Sequence, residues 1–176
     1  MLELTSKQVE DALIFATLKH KGQVRKGDGR PYILHPISVL LRLSESKVSK
    51  NIFLLFVACL LHDVVEDCGV SLNEIARRFG HHVAALVEEL TTNEEECKQL
   101  GKKEYLAKKM LRMSSYALVI KLCDRLDNVS DIKIMSEDSR KKKIEETNYI
   151  LNGLGGRKLS ATHKKLINLI RKKLNG

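Results

Sequence analysis

The segment Ile52–Leu61 is apolar at every position, and this constrains the fold more than any other stretch of the chain. A surface helix would show a polar face at helical spacing, and this segment has none. We therefore expect a central helix from about Asn51 to Val65. Residues 62–67 at its end include one histidine and three carboxylates, and charges next to a buried helix usually have a counter-ion.

Apolar residues recur at helical spacing along the rest of the chain, which predicts an all-α fold without strands. Thr5 with Gln8, and Ser71 with Glu74, match the capping-box pattern at two helix starts. Glycines and a proline between residues 22 and 35 predict a long irregular loop. The expected helices cover approximately residues 5–21, 36–43, 51–65, 71–80, 82–91, 102–113, 116–129, 140–151 and 160–174.

A length of 176 residues with 43% hydrophobic content suits one domain with a sizeable core, so we expect a single domain over residues 1–176. No run of about 18 apolar residues occurs, and residues 1–4 lack the basic and apolar regions of a signal peptide. The four cysteines show neither metal-ribbon spacing nor a dense disulfide framework. We expect a cytoplasmic protein with reduced thiols and no membrane partner.

The net charge of +9 is concentrated in residues 98–112, in residues 140–143, and from residue 153 onwards, where no Asp or Glu occurs. Phosphates, nucleic acid or a membrane surface would complement this charge. Lysines at helical spacing also form ordinary solvated helix faces, and we favour that interpretation for each cluster. With 5% aromatic residues and no recognised nucleic-acid motif, a nucleic-acid partner is not expected.

Four side chains of metal-ligand type occupy promising positions. His62 and Asp63 are neighbours, about 100° apart around a helix, so they can share an ion only with ligands from elsewhere. His35 at a loop-to-helix junction and Asp124 on an otherwise apolar helix could supply those ligands. Such a set leaves positions for water and a substrate oxygen, and suits manganese, iron or zinc.

Each of these residues also has an ordinary structural explanation, because a single histidine or aspartate is more often a helix cap or a hydrogen-bonded side chain. The ordered combination of all four favours a metal site. His20, His81, His82 and His163 lack such support, and we assign them no metal role.

Glu66 follows His62 by four residues, and Asp67 follows Asp63 by four. Each is therefore expected on the same helical face as its partner, one turn further along. Carboxylates there could orient a water molecule, accept its proton or protonate a leaving group. The alternative is a plain charge cluster at a helix end.

Several stretches together resemble the hydrolase domain of the RelA/SpoT family, within the HD superfamily. They are HKGQVRKGDGRPYILHP at residues 20–36, LHDVVED at 61–67, FG at 79–80 and IKLCDRLDN at 120–128. They occur in the family's order and span most of residues 9–131, with further helices expected over 140–174. The resemblance implies a compact HD-type helical domain with a metal site in its core.

The resemblance also implies an enzyme that removes pyrophosphate from the 3′ position of ppGpp and pppGpp by attack of a metal-bound water. Manganese is the family's usual metal. By motif, the metal ligands correspond to His35, His62, Asp63 and Asp124, the acidic pair that activates water to Glu66 and Asp67, and the nucleotide contacts to Arg25, Lys26 and Asn128.

The last motif departs from the family pattern. Long bifunctional members carry a sequence closer to DRLHNMRT, whereas residues 124–131 read DRLDNVSD, so Asp127, Ser130 and Asp131 receive no role by analogy. Because no synthetase or regulatory domain follows, the chain is similar to small stand-alone hydrolases, which degrade the nucleotide without making it.

Two alternatives remain open at this point. An HD-type phosphohydrolase acting on another nucleotide or phosphoester would share the metal site but would not need the basic loop at 25–29. A non-catalytic nucleotide or nucleic-acid binder would show steep salt dependence and no metal requirement. A homo-oligomer is also open, since the apolar positions of the last helix could face either the core or another subunit.

Overall fold

The computed structural model describes residues 5–25 and 29–175, which form eleven α-helices and one short 3₁₀ helix. This described part contains no strand, and an isolated antiparallel bridge joins Val24 to Pro31. The predicted all-α fold is confirmed. The chain divides into two compact units, which meet in sequence at Thr91 and Thr92.

The first unit contains six helices. They are α1 (Ser6–Lys19), α2 (Leu34–Ser46), α3 (Ile52–Leu61), α4 (Val64–Cys68), α5 (Leu72–Phe79) and α6 (His81–Leu90). As predicted, α3 is central, since it packs against α1, α2 and α6 and buries six of its side chains. The apolar sequence of this helix therefore supplies much of the first unit's core.

The predicted helix from Asn51 to Val65 is wrong in one respect, because it breaks after Leu61. Asp63 has φ −105° and ψ −7°, which differ from regular helical values, and α4 begins at the next residue. The ring of His62 takes the carbonyl of Cys59 as a hydrogen-bond partner, at 2.7 Å. Such side-chain bonds compete with the helix's own hydrogen bonds. The break falls within the predicted site.

Helix starts in the first unit follow local chemistry. The capping box of Thr5 and Gln8 is present, with the Thr5 amide donating to Gln8 Oε1 at 2.7 Å. Ser71 caps α5 by accepting from the Glu74 amide, whereas the Glu74 carboxylate pairs with Arg78. Helix α2 begins two residues before the predicted Pro36, which a first helical turn accommodates because its N–H groups need no intrahelical partner.

The second unit contains the remaining helices. They are α7 (Glu94–Leu100), α8 (Lys102–Arg112), α9 (Ser115–Asn128), the 3₁₀ helix (Ile132–Ile134), α10 (Glu137–Gly153) and α11 (Ala161–Asn175). Helix α9 packs against α11, and α10 packs against α8. On α11, Leu166 and Ile170 are buried, and Leu169 is exposed. The last helix thus contributes to the core of its own unit.

Arg157 closes the C-terminal end of α8. Its guanidinium donates to the carbonyls of Met110 and Leu111, each at 2.8 Å, and also to the carbonyl of Met113. The last carbonyls of a helix have no intrahelical partners, and a cation there also opposes the negative end of the helix dipole. A single side chain therefore satisfies most of this helix end.

All four cysteines have free thiols, and Cys59 and Cys123 are buried. No helix among the described residues combines the length and apolarity needed to cross a lipid bilayer.

Candidate active site

The first unit brings three predicted metal ligands together at the break between α3 and α4. His62 is 1% exposed, and its Nδ1 lies 2.7 Å from the carbonyl oxygen of Cys59. A carbonyl only accepts hydrogen bonds, so Nδ1 carries a proton, and Nε2 is the nitrogen that faces the Asp63 carboxylate. Metal-ligating histidines are usually oriented in this way. His62 therefore turns Nε2 toward the other predicted ligands.

Asp63 is the carboxylate toward which both histidines point. Its Oδ2 lies 3.0 Å from His62 Nε2 and 3.6 Å from His35 Nε2. The two imidazole rings are 5.3 Å apart between centroids, and their ligand nitrogens lie within 4.8 Å of each other. Two imidazoles and one carboxylate thus converge.

Tyr32 is a member of this cluster to which the sequence gave no role. Its hydroxyl donates to Asp63 Oδ2 at 2.7 Å. Burial raises the pKa of Tyr32, and the nearby charge of Asp63 raises it further, so the phenol stays protonated and acts as a donor. In the sequence, Tyr32 is the tyrosine three residues before the predicted ligand His35. In the structure, the His35 amide donates to the Tyr32 carbonyl, which holds the two residues in one turn.

The predicted acidic pair lies on α4, directly after these ligands. The Asp67 amide donates to the Asp63 carbonyl at 2.8 Å, which puts Asp67 one helical turn beyond Asp63. The pKa of Asp67 is raised, first because the protein partly shields the carboxyl from water and then because Asp63 carries like charge. Glu66 is on the same short helix and is exposed to solvent.

The basic loop is described only in part. Arg25 is half-buried, its amide donates to the Arg30 carbonyl at 2.8 Å, and its carbonyl accepts from the Gly29 amide at 3.1 Å. These bonds hold the two ends of the loop together beside the Val24–Pro31 bridge. Lys26, the other predicted loop contact, lies outside the described residues.

In the second unit, Asp124 is buried on α9. Its Oδ2 lies 2.9 Å from the ammonium of Lys121, and its Oδ1 accepts a hydrogen bond from the side-chain amide of Asn128. The family resemblance implies a nucleotide contact for Asn128, and in the structure its NH₂ group donates to the Asp124 carboxylate. Asp127, which departs from the family motif, is also buried.

A second charged group in this unit was not expected from the sequence. Arg125 is buried and donates to Glu146 of α10, while Lys143 lies nearby and half-buried. The pKa of Lys143 is lowered by burial and then by the like charge of Arg125. A cleft of about 440 Å³ opens beside these residues, between α8 and α10. Its lining includes Lys102, Lys103, Lys142, Glu145, Glu146 and Tyr149.

Within the first unit, His35 and His62 are buried side chains with the chemistry to hold a metal ion, and Asp63 Oδ2 lies within 3.6 Å of the Nε2 atom of each. Two imidazoles with carboxylate oxygen suit a divalent cation of the first transition row. The residues present therefore fit the divalent metal that their types predicted.

The fold and these residues agree with a comparison to known families. The chain belongs to the HD domain family, whose pattern matches residues 12–159. The match extends over sequence from both units.

Curated relatives show which members of the HD domain family this chain is similar to. A guanosine-3′,5′-bis(diphosphate) 3′-pyrophosphohydrolase of Aquifex aeolicus is 35% identical over 86% of this chain and 22% of its own length. A GTP pyrophosphokinase of Streptomyces coelicolor is 35% identical over 81% of this chain and 17% of its own length. The chain thus spans about a fifth of these curated relatives.

One solved structure matches this chain over nearly the whole length of both chains. It is described as a metazoan ortholog of SpoT that hydrolyses ppGpp and plays a role in starvation responses. The two chains have 28% identity and a TM-score of 0.81, and the match covers 98% of each. The resemblance inferred from the motifs is confirmed by these relatives.

Proposed function

We propose that this chain is a metal-dependent hydrolase that removes pyrophosphate from the 3′ position of ppGpp and pppGpp, giving GDP or GTP. One observation carries the proposal: His35, His62 and Asp63 converge, with an acidic pair one helical turn further on. Side chains of these types hold a divalent cation and manage the protons of an attacking water. The relatives named for this reaction supply the substrate.

The proposed metal ligands are His35, His62, Asp63 and Asp124. The proton that the hydrogen-bonded geometry places on His62 Nδ1, and the burial of His35 and His62, support this assignment. When bound, a divalent cation lowers the pKa of a water molecule and polarises a phosphoryl oxygen. We propose manganese, because a site with both carboxylate oxygen and imidazole suits it and the family resemblance implies it.

Glu66 and Asp67 are proposed to handle the protons. The water oxygen forms a bond to the phosphorus next to the ribose, the bond between that phosphorus and O3′ breaks, and O3′ takes a proton. Glu66 orients the water and accepts its proton. Asp67 is suited to protonate O3′, since its raised pKa favours the carboxylic acid form more than an ordinary aspartate does.

Arg25 and Lys26 are proposed to contact the nucleotide. An arginine plane can stack on a purine base, and a lysine can meet phosphate charge. The backbone bonds that join Arg25 to Arg30 and Gly29 support a fixed starting point for this loop. For Asn128 a nucleotide contact stays a proposal, with its carbonyl oxygen as the group to offer, because its NH₂ donates to Asp124.

We propose that residues 1–176 act as one functional domain, since the family match includes sequence from both units. A cytoplasmic location is proposed with it. Four free cysteines support that location, because disulfides are rare where glutathione keeps thiols reduced.

The test is turnover of ppGpp by metal-stripped protein, with and without added manganese, with products separated by chromatography. GDP and pyrophosphate should appear in equal amounts and only with metal. Release of orthophosphate in place of pyrophosphate, or turnover in a chelator, contradicts the proposal. Zinc and magnesium in parallel reactions test the choice of manganese.

A second candidate is a related phosphohydrolase that acts on another nucleotide. It is favoured by buried Asp127, which stands where the long family members carry a histidine. A panel of nucleotides with and without 3′-phosphates separates the two, because only the first candidate requires the 3′-pyrophosphate.

A further inference from the structure

Gln23 joins three segments of the first unit that surround the candidate site. Its side-chain Nε2 donates to the main-chain carbonyl of Asp67 at 3.1 Å, and its Oε1 lies 2.8 Å from His20 Nδ1. Its own carbonyl accepts from the Tyr32 amide at 2.9 Å. The residue thus connects the end of α1, the segment before α2 and the end of α4.

The chemistry of these partners fixes the orientation of the amide. The Asp67 carbonyl can only accept, so the NH₂ group of Gln23 must face it, and the oxygen must face His20. His20 Nδ1 then carries the proton. The His20 ring is buried and lies against the ring of Tyr32, with 4.8 Å between centroids. The Gln23 amide is therefore hydrogen-bonded to a histidine whose ring is held in place by burial and by contact with Tyr32.

Helix α4 needs such a contact. It has five residues, which is too short to be stable by itself, and the last carbonyls of any helix lack partners within it. Gln23 supplies a donor to the carbonyl of the same residue whose carboxyl we assign to proton transfer. A shift of the main chain at Asp67 would move that carboxyl relative to Tyr32 and Asp63.

We propose that Gln23 is a positioning residue, which sets the direction of the Asp67 carboxyl through the Asp67 main chain. The role rests on the proposed function, in which Asp67 protonates the leaving oxygen. Gln23 contacts neither the proposed metal ligands nor the reacting atoms through its side chain, so its effect falls on turnover and not on metal affinity.

The main test is Gln23→Glu, which keeps the shape but replaces the donor with an oxygen. We expect kcat for ppGpp to fall about 10- to 100-fold, since displacements of about 1 Å in a reacting group have effects of this size. KM and the manganese dissociation constant should stay within about twofold. Gln99→Glu is the matched control, because Gln99 is an exposed glutamine of α7.

A second variant, Gln23→Asn, keeps the amide group but is one methylene too short to reach the Asp67 carbonyl. It should therefore lower kcat without adding a charge. A merely structural role predicts a lower melting temperature and an unchanged kcat per folded molecule, and that result overturns the proposal. A rise in KM with unchanged kcat also overturns the proposal. The substitution would then act on nucleotide binding, through the neighbouring Arg25, and not on the Asp67 carboxyl.

Hydrogen exchange of the peptide covering residues 64–70 provides a readout that needs no substrate. Exchange should be faster in both Gln23 variants than in the wild type and in Gln99→Glu. If hydrogen exchange of this peptide is the same in the Gln23 variants as in the wild type, the proposed role of Gln23 is contradicted, whatever the activity of the variants. Absence of ppGpp turnover in the wild type contradicts the proposed function alone, and the kcat comparison is then made with whichever nucleotide of the panel is hydrolysed.

Discussion

Asp63 and Asp124 are both shielded carboxylates, one in each unit, but their contacts differ in kind. Asp63 contacts the imidazoles of His35 and His62 and the hydroxyl of Tyr32. Asp124 contacts the ammonium of Lys121 and the amide of Asn128. These contacts of Asp63 are imidazole and hydroxyl groups, whereas those of Asp124 include an ammonium group.

This difference indicates where the affinity for a cation originates. A buried carboxylate is costly unless it is paired and hydrogen-bonded, and Lys121 provides that pairing for Asp124 within the second unit. The contacts of Asp63 include the Nε2 atoms of His35 and His62, which are of the type that binds a cation together with a carboxylate. We infer that the side chains of the first unit, with two imidazoles beside one carboxylate, are the better placed to attract a cation.

The largest effect is expected for His62→Ala. Losing a ligand removes several kcal/mol of transition-state stabilisation, which corresponds to about a 10³-fold loss of manganese-dependent turnover. Calorimetric titration with manganese should show the binding lost as well. His82→Ala is the control, since His82 is exposed. Full activity in His62→Ala would remove the first unit's cluster from the mechanism.

Glu66→Gln should keep metal binding but lose turnover. The amide cannot accept the proton of the attacking water, so we expect turnover to fall about 10²-fold, the lower end of what a positioned general base contributes. Initial rates at saturating ppGpp measure this, with manganese binding checked in the same samples. Near-normal rates would exclude Glu66 as the base. Glu88→Gln, on an exposed position of α6, controls for the change of charge.

Tyr32→Phe should weaken manganese binding by about 10- to 100-fold, because partners that orient a metal ligand typically have effects of this size. The phenyl ring keeps the contact with His20, so stability should change little. Titration calorimetry gives the affinity. Tyr149→Phe removes an exposed hydroxyl in the second unit and should leave the affinity unchanged.

Smaller effects are expected for two adjacent glutamates of α10. Glu146 pairs with buried Arg125, so Glu146→Gln should lower the free energy of unfolding by about 3 kcal/mol, the lower end of the range for breaking a buried pair. Glu145 pairs with Lys103 at the surface, and Glu145→Gln should have no measurable effect. Urea denaturation compares the two. Equal effects would contradict the distinction between shielded and exposed pairs.

The Glu146 contribution should depend on pH. Burial alone would raise the pKa of Glu146, but the charge and hydrogen bond of Arg125 outweigh it and the pKa is lowered from 4.5. A lowered folded pKa means that the stabilisation is fully present above pH 4.5 and is lost as the pH falls below it. The difference between wild type and Glu146→Gln should therefore shrink in urea titrations at acidic pH.

Most of the helical framework could be predicted from periodicity and caps, because those are local properties. The capping box at Thr5 and the central apolar helix α3 are examples. Helix α7 was missed although its signal was present: Asn93 caps it by accepting from the Glu96 amide, and three glutamates occupy its first turn. Helix α7 has no buried residue, so its sequence lacks the apolar spacing from which the other helices were predicted.

The site was predictable in its residue types but not in its local geometry. Periodicity cannot reveal the break at Asp63, since the side chain of His62 bonds to the main chain at Cys59. The contact of Gln23 with Asp67 joins residues 44 positions apart, and no local pattern encodes it. Tyr32 and Asn128 stood in motifs, but only coordinates show that each donates to an aspartate.

The position of Arg157 has a practical consequence for shortened forms of the chain. Three carbonyls at the end of α8 depend on this one guanidinium, which comes from a residue well beyond the helix. A fragment cut before residue 157 would expose those carbonyls and fray α8, even though every residue of that helix was retained. Expression boundaries for the second unit should therefore lie beyond Arg157.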